Sequence, residues 1–269
     1  MRQRKEAEKL VEIVRPYTPK HLYKYRSINS QGVEDIFVKR KIYFTDATKF
    51  DDPFECKPIL TFHQSSLKRQ KFLKELTKDK FPSADKKAIK KLMRGKKRLL
   101  TDQPTLRTAY EAFIKTIGIY CLSEKNDDLL MWSLYSDSHC GFCIEFDASN
   151  EHTLFWEAFK VIYQEEYPTV NTMDIGEADE FRKALLTKST HWMHQEEWRI
   201  LKTEQEGGPG LYLFSPELLT GVIMGALMCE KDRELLLSWV EQYPTEITIY
   251  QAKLNERKYQ LDIVPFSEA

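Results

Sequence analysis

From Gly118 onward the chain is a succession of short apolar or alternating segments. They are GIYCLS (118–123), CGFCIEFD (140–147), FKVIYQ (159–164), EEWRIL (196–201), LYLF (211–214), GVIMGA (221–226), ITIYQA (247–252) and KYQLDIVP (258–265). Runs of this length and pattern read as strands. Three helical patterns interrupt them: 127–135, opened by acids that suit a helix N-terminus, 175–189, and 230–243 with Leu235, Leu236 and Trp239 inside. The layout implies an α+β protein with a mostly antiparallel sheet core flanked by helices.

Ahead of that half, residues 2–15 have Leu10, Val11 and Val14 at helical spacing, and Pro16 and Pro19 end the pattern. HLYKYR (21–26) alternates like a strand, GVEDIFVKR (32–40) reads as a helical turn or two, and KIYFT (41–45) as a second strand. FDDPFE (50–55) has Asp-Pro turn chemistry. Residues 63–116 read as a helical insertion with breaks near Pro82, Gly95 and Pro104. No internal repeat or low-complexity linker divides the chain, so residues 1–269 are expected to form a single α+β domain.

The formal net charge is zero, but residues 61–100 hold 14 Lys or Arg against 3 Asp or Glu, leaving 27 against 38 elsewhere. A basic block in an acidic protein can meet nucleic acid or another polyanion; it can equally be a solvated helical face that docks on the acidic remainder. With 30% charged residues, a mean hydropathy of −0.53 and no apolar run near the ~20 residues of a membrane span, the expectation is no membrane segment and a cytoplasmic protein. The five cysteines, Cys56, Cys121, Cys140, Cys143 and Cys229, are odd in number and scattered, unlike a secreted disulfide framework. Cys140 and Cys143 form a CGFC within a strand-like run and have no second ligand pair, so a structural role is expected.

Four polar clusters sit at the ends of strands that could otherwise be buried, where functional side chains gather on rigid supports. The first is Lys24 and Arg26, on the strand face opposite Tyr23 and Tyr25. The second runs from Tyr43 and Thr45 through Asp51, Asp52 and Glu55; the third holds Ser123, Asp128, Trp132, Tyr135 and His139. The fourth, HWMHQEEWRILKT (191–203), places Gln195 and Glu197 two apart. On a strand, those two side chains share a face, with Arg199 following. An amide and a carboxylate projecting together beside aromatics suit a polar substrate; a cross-strand ion pair of Glu197 and Arg199 with Lys24 or Arg26 is the plainer alternative.

The motif inventory excludes several chemistries. There is no GxSxG elbow for a serine hydrolase, and no P-loop, GxGxxG or HExxH. The acids Asp51, Asp52 and Glu55 could hold a divalent cation and, with the basic block, would suit a metal-dependent nuclease. A turn with capping acids explains them equally. Trp132, Tyr135 and Trp198 are large aromatics that suit a core.

The segments LYKYRS, IYFTDATKFDDPFE, CLSEKNDDLLMWSLYSDSHCGFCIEFD and WMHQEEWRI, in this order over roughly residues 20–225, resemble the bacterial domain-of-unknown-function family numbered 2971. The basic block is the least similar part. The order of elements is also similar, more remotely, to that of ADP-ribosyltransferases. That resemblance implies Arg26 (or Lys24) at the phosphates or ribose of NAD, Tyr43 or Thr45 beside the nicotinamide, and Gln195-Glu196-Glu197 as the late Q-x-E. It makes Glu197 the carboxylate that stabilises an oxocarbenium-like transition state and Gln195 the residue that orients the acceptor. NAD would be a substrate, with Trp132, Tyr135 and His139 as further contacts. A role in phage defence or as a toxin is what similar families suggest. The Ser-Thr-Ser pattern of one transferase branch is absent. A non-catalytic ligand- or partner-binding module stands beside the transferase and nuclease readings.

Overall fold

The computed structural model describes residues 19–61, 103–172, 174 and 178–267. The expected helix at 2–15 and most of the basic block lie outside the described residues. In chain order the elements are β1 (His21–Arg26), α1 (Glu34–Val38), β2 (Lys41–Asp46), β3 (Ile59–Thr61), α2 (Gln103–Ile114), β4 (Gly118–Ser123), α3 (Leu129–Tyr135), β5 (Phe142–Asp147), β6 (Phe159–Lys160), β7 (Ile162–Gln164), β8 (Thr169–Asn171), α4 (Ala178–Leu186), β9 (Thr187–Ser189), β10 (Glu197–Lys202), β11 (Gly210–Leu213), β12 (Leu219–Met224), α5 (Glu230–Glu241), β13 (Thr248–Leu254) and β14 (Leu261–Pro265). The α+β expectation holds. A ten-stranded sheet runs β11-β2-β4-β1-β5-β12-β13-β14, with β10 on β4 and β6 on β10. Its one parallel pair is β12 with β13, the pair joined through α5, because parallel neighbours need a crossover connection. Of the expected insertion, only residues 103–116 are described, and α2 is helical.

Alternating side chains give the sheet two apolar faces. On β4, Tyr120 and Leu122 join a core with Leu22, Ile144, Trp198 and Ile200, closed by Phe37 of α1 and Leu236 and Trp239 of α5. Ile119 points the other way, into a second core with Leu106 and Tyr110 of α2 and Leu185 and Leu186 of α4. A third cluster packs Trp132 of α3 on Tyr25, Cys143 and Ile223. Each large apolar side chain buried this way contributes roughly 1.5–3 kcal/mol. Leu235, read as an inward residue of α5, is 41% exposed, while Leu236 and Trp239 are buried.

The feature that shapes the site is a fork in the sheet. One edge of β4 pairs with β10 over its whole length, Glu197 opposite Ser123 through Lys202 opposite Gly118. The other edge is shared. β2 meets it only at Gly118 and Ile119, and β1 only at Ser123. Among the described residues, no strand pairs with this edge at residues 120–122, so β1 and β2 diverge and a gap opens between them.

Two local features set the flanks of the fork. Asp128 caps α3, its carboxylate accepting from the Met131 amide at 2.9 Å. After α3 the backbone is left-handed at Asp137, Ser138 and His139, which returns the chain to Gly141. A side chain at Gly141 would run into the carbonyls of Arg26 and Ser136, which explains the glycine in CGFC. Cys143 is buried in the sheet while Cys140 lies in the preceding turn, so the pair is divided between strand and loop.

Candidate active-site cleft at the sheet fork

The gap opens into a cleft of 1620 Å³ lined by Lys24, Arg26, Tyr43, Thr45, Asp52, Glu55, Tyr120, Tyr135, Lys188, Trp192, Gln195 and Glu197, among others. Residues from separate sequence clusters therefore share one space. Lys24 and Arg26 come from β1, and Tyr43 and Thr45 from the outward face of β2, whose Ile42, Phe44 and Asp46 are buried. Trp132 and His139 do not line it. Trp132 is fully buried, edge-on to Tyr25 at 5.3 Å and stacked on His139 at 6.4 Å. Burial pushes the His139 imidazole below its usual range. Trp198 is likewise core.

One wall of the cleft is a closed network of charges. β10 begins at Glu197, and Gln195 ends a 3-10 turn over Thr190–Gln195. The residue between them, Glu196, is left-handed with φ 39°, an uncommon conformation for a residue with a Cβ. Although Gln195 is not on the strand, both flanking side chains reach one ammonium: Lys188 donates to Gln195 Oε1 and to Glu197 Oε2, each at 2.7 Å. Glu55 Oε2 lies 3.5 Å from the same nitrogen, and the Trp192 ring lies 5.5 Å away. Arg199, 0% exposed, donates through Nε to Glu197 Oε1 at 2.7 Å, through one terminal nitrogen to the Leu185 carbonyl at 2.5 Å, and pairs with Glu55 through the other. The alternative pairing of Glu197 and Arg199 with Lys24 or Arg26 is therefore not the one adopted. Burial alone would lower the Lys188 pKa, but Glu197 outweighs it and holds that ammonium above its ordinary value. Gln195 in turn donates to the Tyr135 hydroxyl at 2.9 Å.

The acids of FDDPFE are engaged in the same wall. Asp52 accepts from the Trp192 indole at 2.7 Å and from the Phe54 amide at 2.8 Å, and Glu55 faces two cations. Among the described residues, no three His, Cys, Asp or Glu side chains are grouped to hold a metal ion.

The β1 side of the cleft carries cations that make no ion pair among the described residues. Lys24 Nζ donates to the Cys121 carbonyl at 2.6 Å, an acceptor the fork leaves without a strand partner, and lies 4.9 Å from the centre of the Tyr120 ring. Burial, together with Arg26, lowers its pKa to about 8. Neither Lys24 nor Arg26 has a carboxylate within ion-pair distance among the described residues. Tyr120 is 2% exposed; burial pushes its hydroxyl up to about 12, while Arg26 beside it acts in the other direction.

Lys188, Tyr120 and Trp192 were not candidates on the sequence. The sequence pattern predicts a helix through Lys188 to residue 189; the helix ends at Leu186 and a three-residue strand follows, paired with β7. Nothing in TKS announces that strand. Tyr120 carried a signal in retrospect, a polar-tipped aromatic inside an apolar run.

Residues 131–200 match the family model described as "Protein of unknown function (DUF2971)". The match runs from α3 to the middle of β10 and so takes in Tyr135, Lys188, Gln195, Glu197 and Arg199. Comparisons with curated proteins and with solved structures give no match. No helix among the described residues is long and apolar enough to cross a membrane.

Proposed function

We propose that the cleft binds NAD and that the protein cleaves the bond between nicotinamide and ribose, passing the ADP-ribosyl group to water or to an acceptor. The observation that carries this reading is the convergence of Arg26 and Lys24, Tyr43 and Thr45, and Gln195 and Glu197 on one cleft. Two cations without carboxylate partners among the described residues suit a diphosphate, which a guanidinium grips through charge-assisted hydrogen bonds. Tyr43, 49% exposed, and Trp192 offer ring surfaces for a planar heterocycle.

In the reaction, the bond from the ribose anomeric carbon to the nicotinamide nitrogen breaks, and its electron pair leaves with nicotinamide. The sugar becomes an oxocarbenium ion, to which water or an acceptor adds before losing a proton. Glu197 is the carboxylate that faces this developing positive charge. Its partner Lys188 has three side-chain acceptors around it, so it can release Glu197 Oε2 to a ribose hydroxyl while staying bonded to Gln195.

The nuclease reading has less support, because Asp52 and Glu55 are already committed to Trp192, Lys188 and Arg199. The test is incubation of purified protein with NAD, with and without cell lysate, following nicotinamide release beside a Glu197→Gln control. Release that disappears in the variant is the expected result. No release under any condition removes the transferase reading. Binding without turnover then leaves a ligand-binding module, and metal-dependent cleavage lost in Asp52→Asn would restore the nuclease.

A further inference from the structure

Lys24 projects from β1 into the gap of the fork, and its surroundings are unusual for a lysine. Its ammonium has one hydrogen-bonding partner among the described residues, the Cys121 carbonyl at 2.6 Å. The Tyr120 ring covers one side at 4.9 Å, and the remaining side opens to the cleft. The charged and titratable groups around it are Arg26 on its own strand, Cys121 on β4, Glu197 on β10 and Lys188 on β9. Burial and the two neighbouring cations outweigh Cys121 and Glu197 and bring its pKa to about 8. An amine at that value is about one-tenth neutral at pH 7, a few hundredfold more than an exposed lysine. The lone pair of the neutral form is what a nucleophilic lysine needs. Two residues along the same strand face, Arg26 offers a guanidinium with no carboxylate partner among the described residues, a ready anchor for an anion.

We propose that Lys24 is a nucleophilic amine that forms an imine with an aldehyde or ketone borne by an anionic ligand, whose negative group Arg26 holds. The nitrogen lone pair attacks the carbonyl carbon, and the C–O π pair moves to oxygen, which takes up a proton as the nitrogen gives one up. The resulting carbinolamine loses its hydroxyl and the remaining amine proton as water while the nitrogen pair forms the C=N bond. No oxidant or reductant is consumed. The proposal does not rest on NAD cleavage, and its test contains no NAD, so either can fail alone.

The test treats the full chain at pH 7 with substoichiometric pyridoxal 5′-phosphate, traps imines with sodium cyanoborohydride, and maps the modified peptides. Lys24 is expected to label at least tenfold faster than exposed lysines such as Lys39, with a rate that climbs to about pH 8 and then levels. Arg26→Gln should slow Lys24 labelling by pyridoxal 5′-phosphate about tenfold; phosphate-free pyridoxal should be slow and lose much less from that change, because it feels only the influence of Arg26 on the Lys24 amine. Lys24→Arg, which keeps the charge and a donor for the Cys121 carbonyl, should fold normally and lose the fast site. Label spread over the exposed lysines, with Lys24 no faster than Lys39, overturns the proposal. Fast Lys24 labelling that ignores Arg26→Gln overturns the anion anchor.

Discussion

The two walls of the cleft handle positive charge in opposite ways. On the β9–β10 wall, Lys188 and Arg199 meet Glu55 and Glu197, so two cations answer two carboxylates and their donors are used. On the β1 side, Lys24 and Arg26 have no carboxylate within ion-pair distance among the described residues; Lys24 meets the Cys121 carbonyl and the Tyr120 ring and feels Glu197 only through space. A buried charge that is fully paired fixes geometry, because moving either partner strands the other. A partly buried charge that is not paired is held at a cost which a ligand of opposite sign can relieve. One wall thus holds its side chains in fixed positions, and the other is left open to an anion.

That contrast can be broken most directly at Arg199. Arg199→Met removes the fully buried guanidinium that bonds Glu55 and Glu197 and leaves Lys188 as their one remaining shared cation; it should cost about 3–5 kcal/mol, read as a lower denaturation midpoint. Lys188→Met should cost less, about 1–3 kcal/mol, since Glu197 keeps Arg199; it should also abolish nicotinamide release by freeing Gln195 and Glu197 from their common position. Arg26→Gln belongs to the other wall. Its stability should stay within about 0.5 kcal/mol of the parent, while affinity for ADP-ribose, measured by calorimetry, drops about tenfold, or 1.4 kcal/mol. Equal stability losses for Arg26→Gln and Lys188→Met would erase the distinction between the walls.

The two lysines also give opposite pH signatures. Lys24 binds its proton up to about pH 8 when folded and to its ordinary value near 10.5 when unfolded, so folding releases a proton between those values. Its contribution to stability therefore rises with pH from about 8 to 10.5. Lys188 has its pKa raised on folding, so its contribution is fully present below about 10.5 and is lost as pH climbs through the higher folded value. Subtracting the stability curves of Lys24→Met and Lys188→Met from that of the parent should give slopes of opposite sign; slopes of the same sign would mean that both ammonium groups sit in similar surroundings. The smallest effect on ligand affinity is expected from Trp132→Phe, which loses the indole bond to the Asn126 carbonyl but keeps a ring in the core and should leave ADP-ribose affinity unchanged; a tenfold loss would connect that core to the cleft.

Much of this was legible in the linear chain because it depends on neighbours. Alternation placed Lys24 and Arg26 opposite Tyr23 and Tyr25, and β4, β5, β10, β12 and β13 fall on the apolar runs that announced them. The acidic start of α3 is the cap that Asp128 makes. Elements whose form is set by distant partners were not legible. FKVIYQ reads as one strand, yet it divides into β6, which pairs with β10, and β7, which pairs with β9. The helix expected to residue 189 gives way at Thr187, because a strand there can pair with β7 and carry Lys188 inward.

By itself, the sequence determined the α+β class, the run of strands and the polar clusters at their ends, because periodicity and capping act over a few residues. Only the tertiary structure decided that β1 and β2 share one edge of β4 and part company over residues 120–122. That decision creates the cleft, leaves the Cys121 carbonyl to Lys24, and turns Lys188 toward Gln195 and Glu197. It also sorts four cations into two that are neutralised and two that have no carboxylate partner among the described residues. Charge pairing is a property of distances between strands far apart in the chain, and no local pattern of residues encodes those distances.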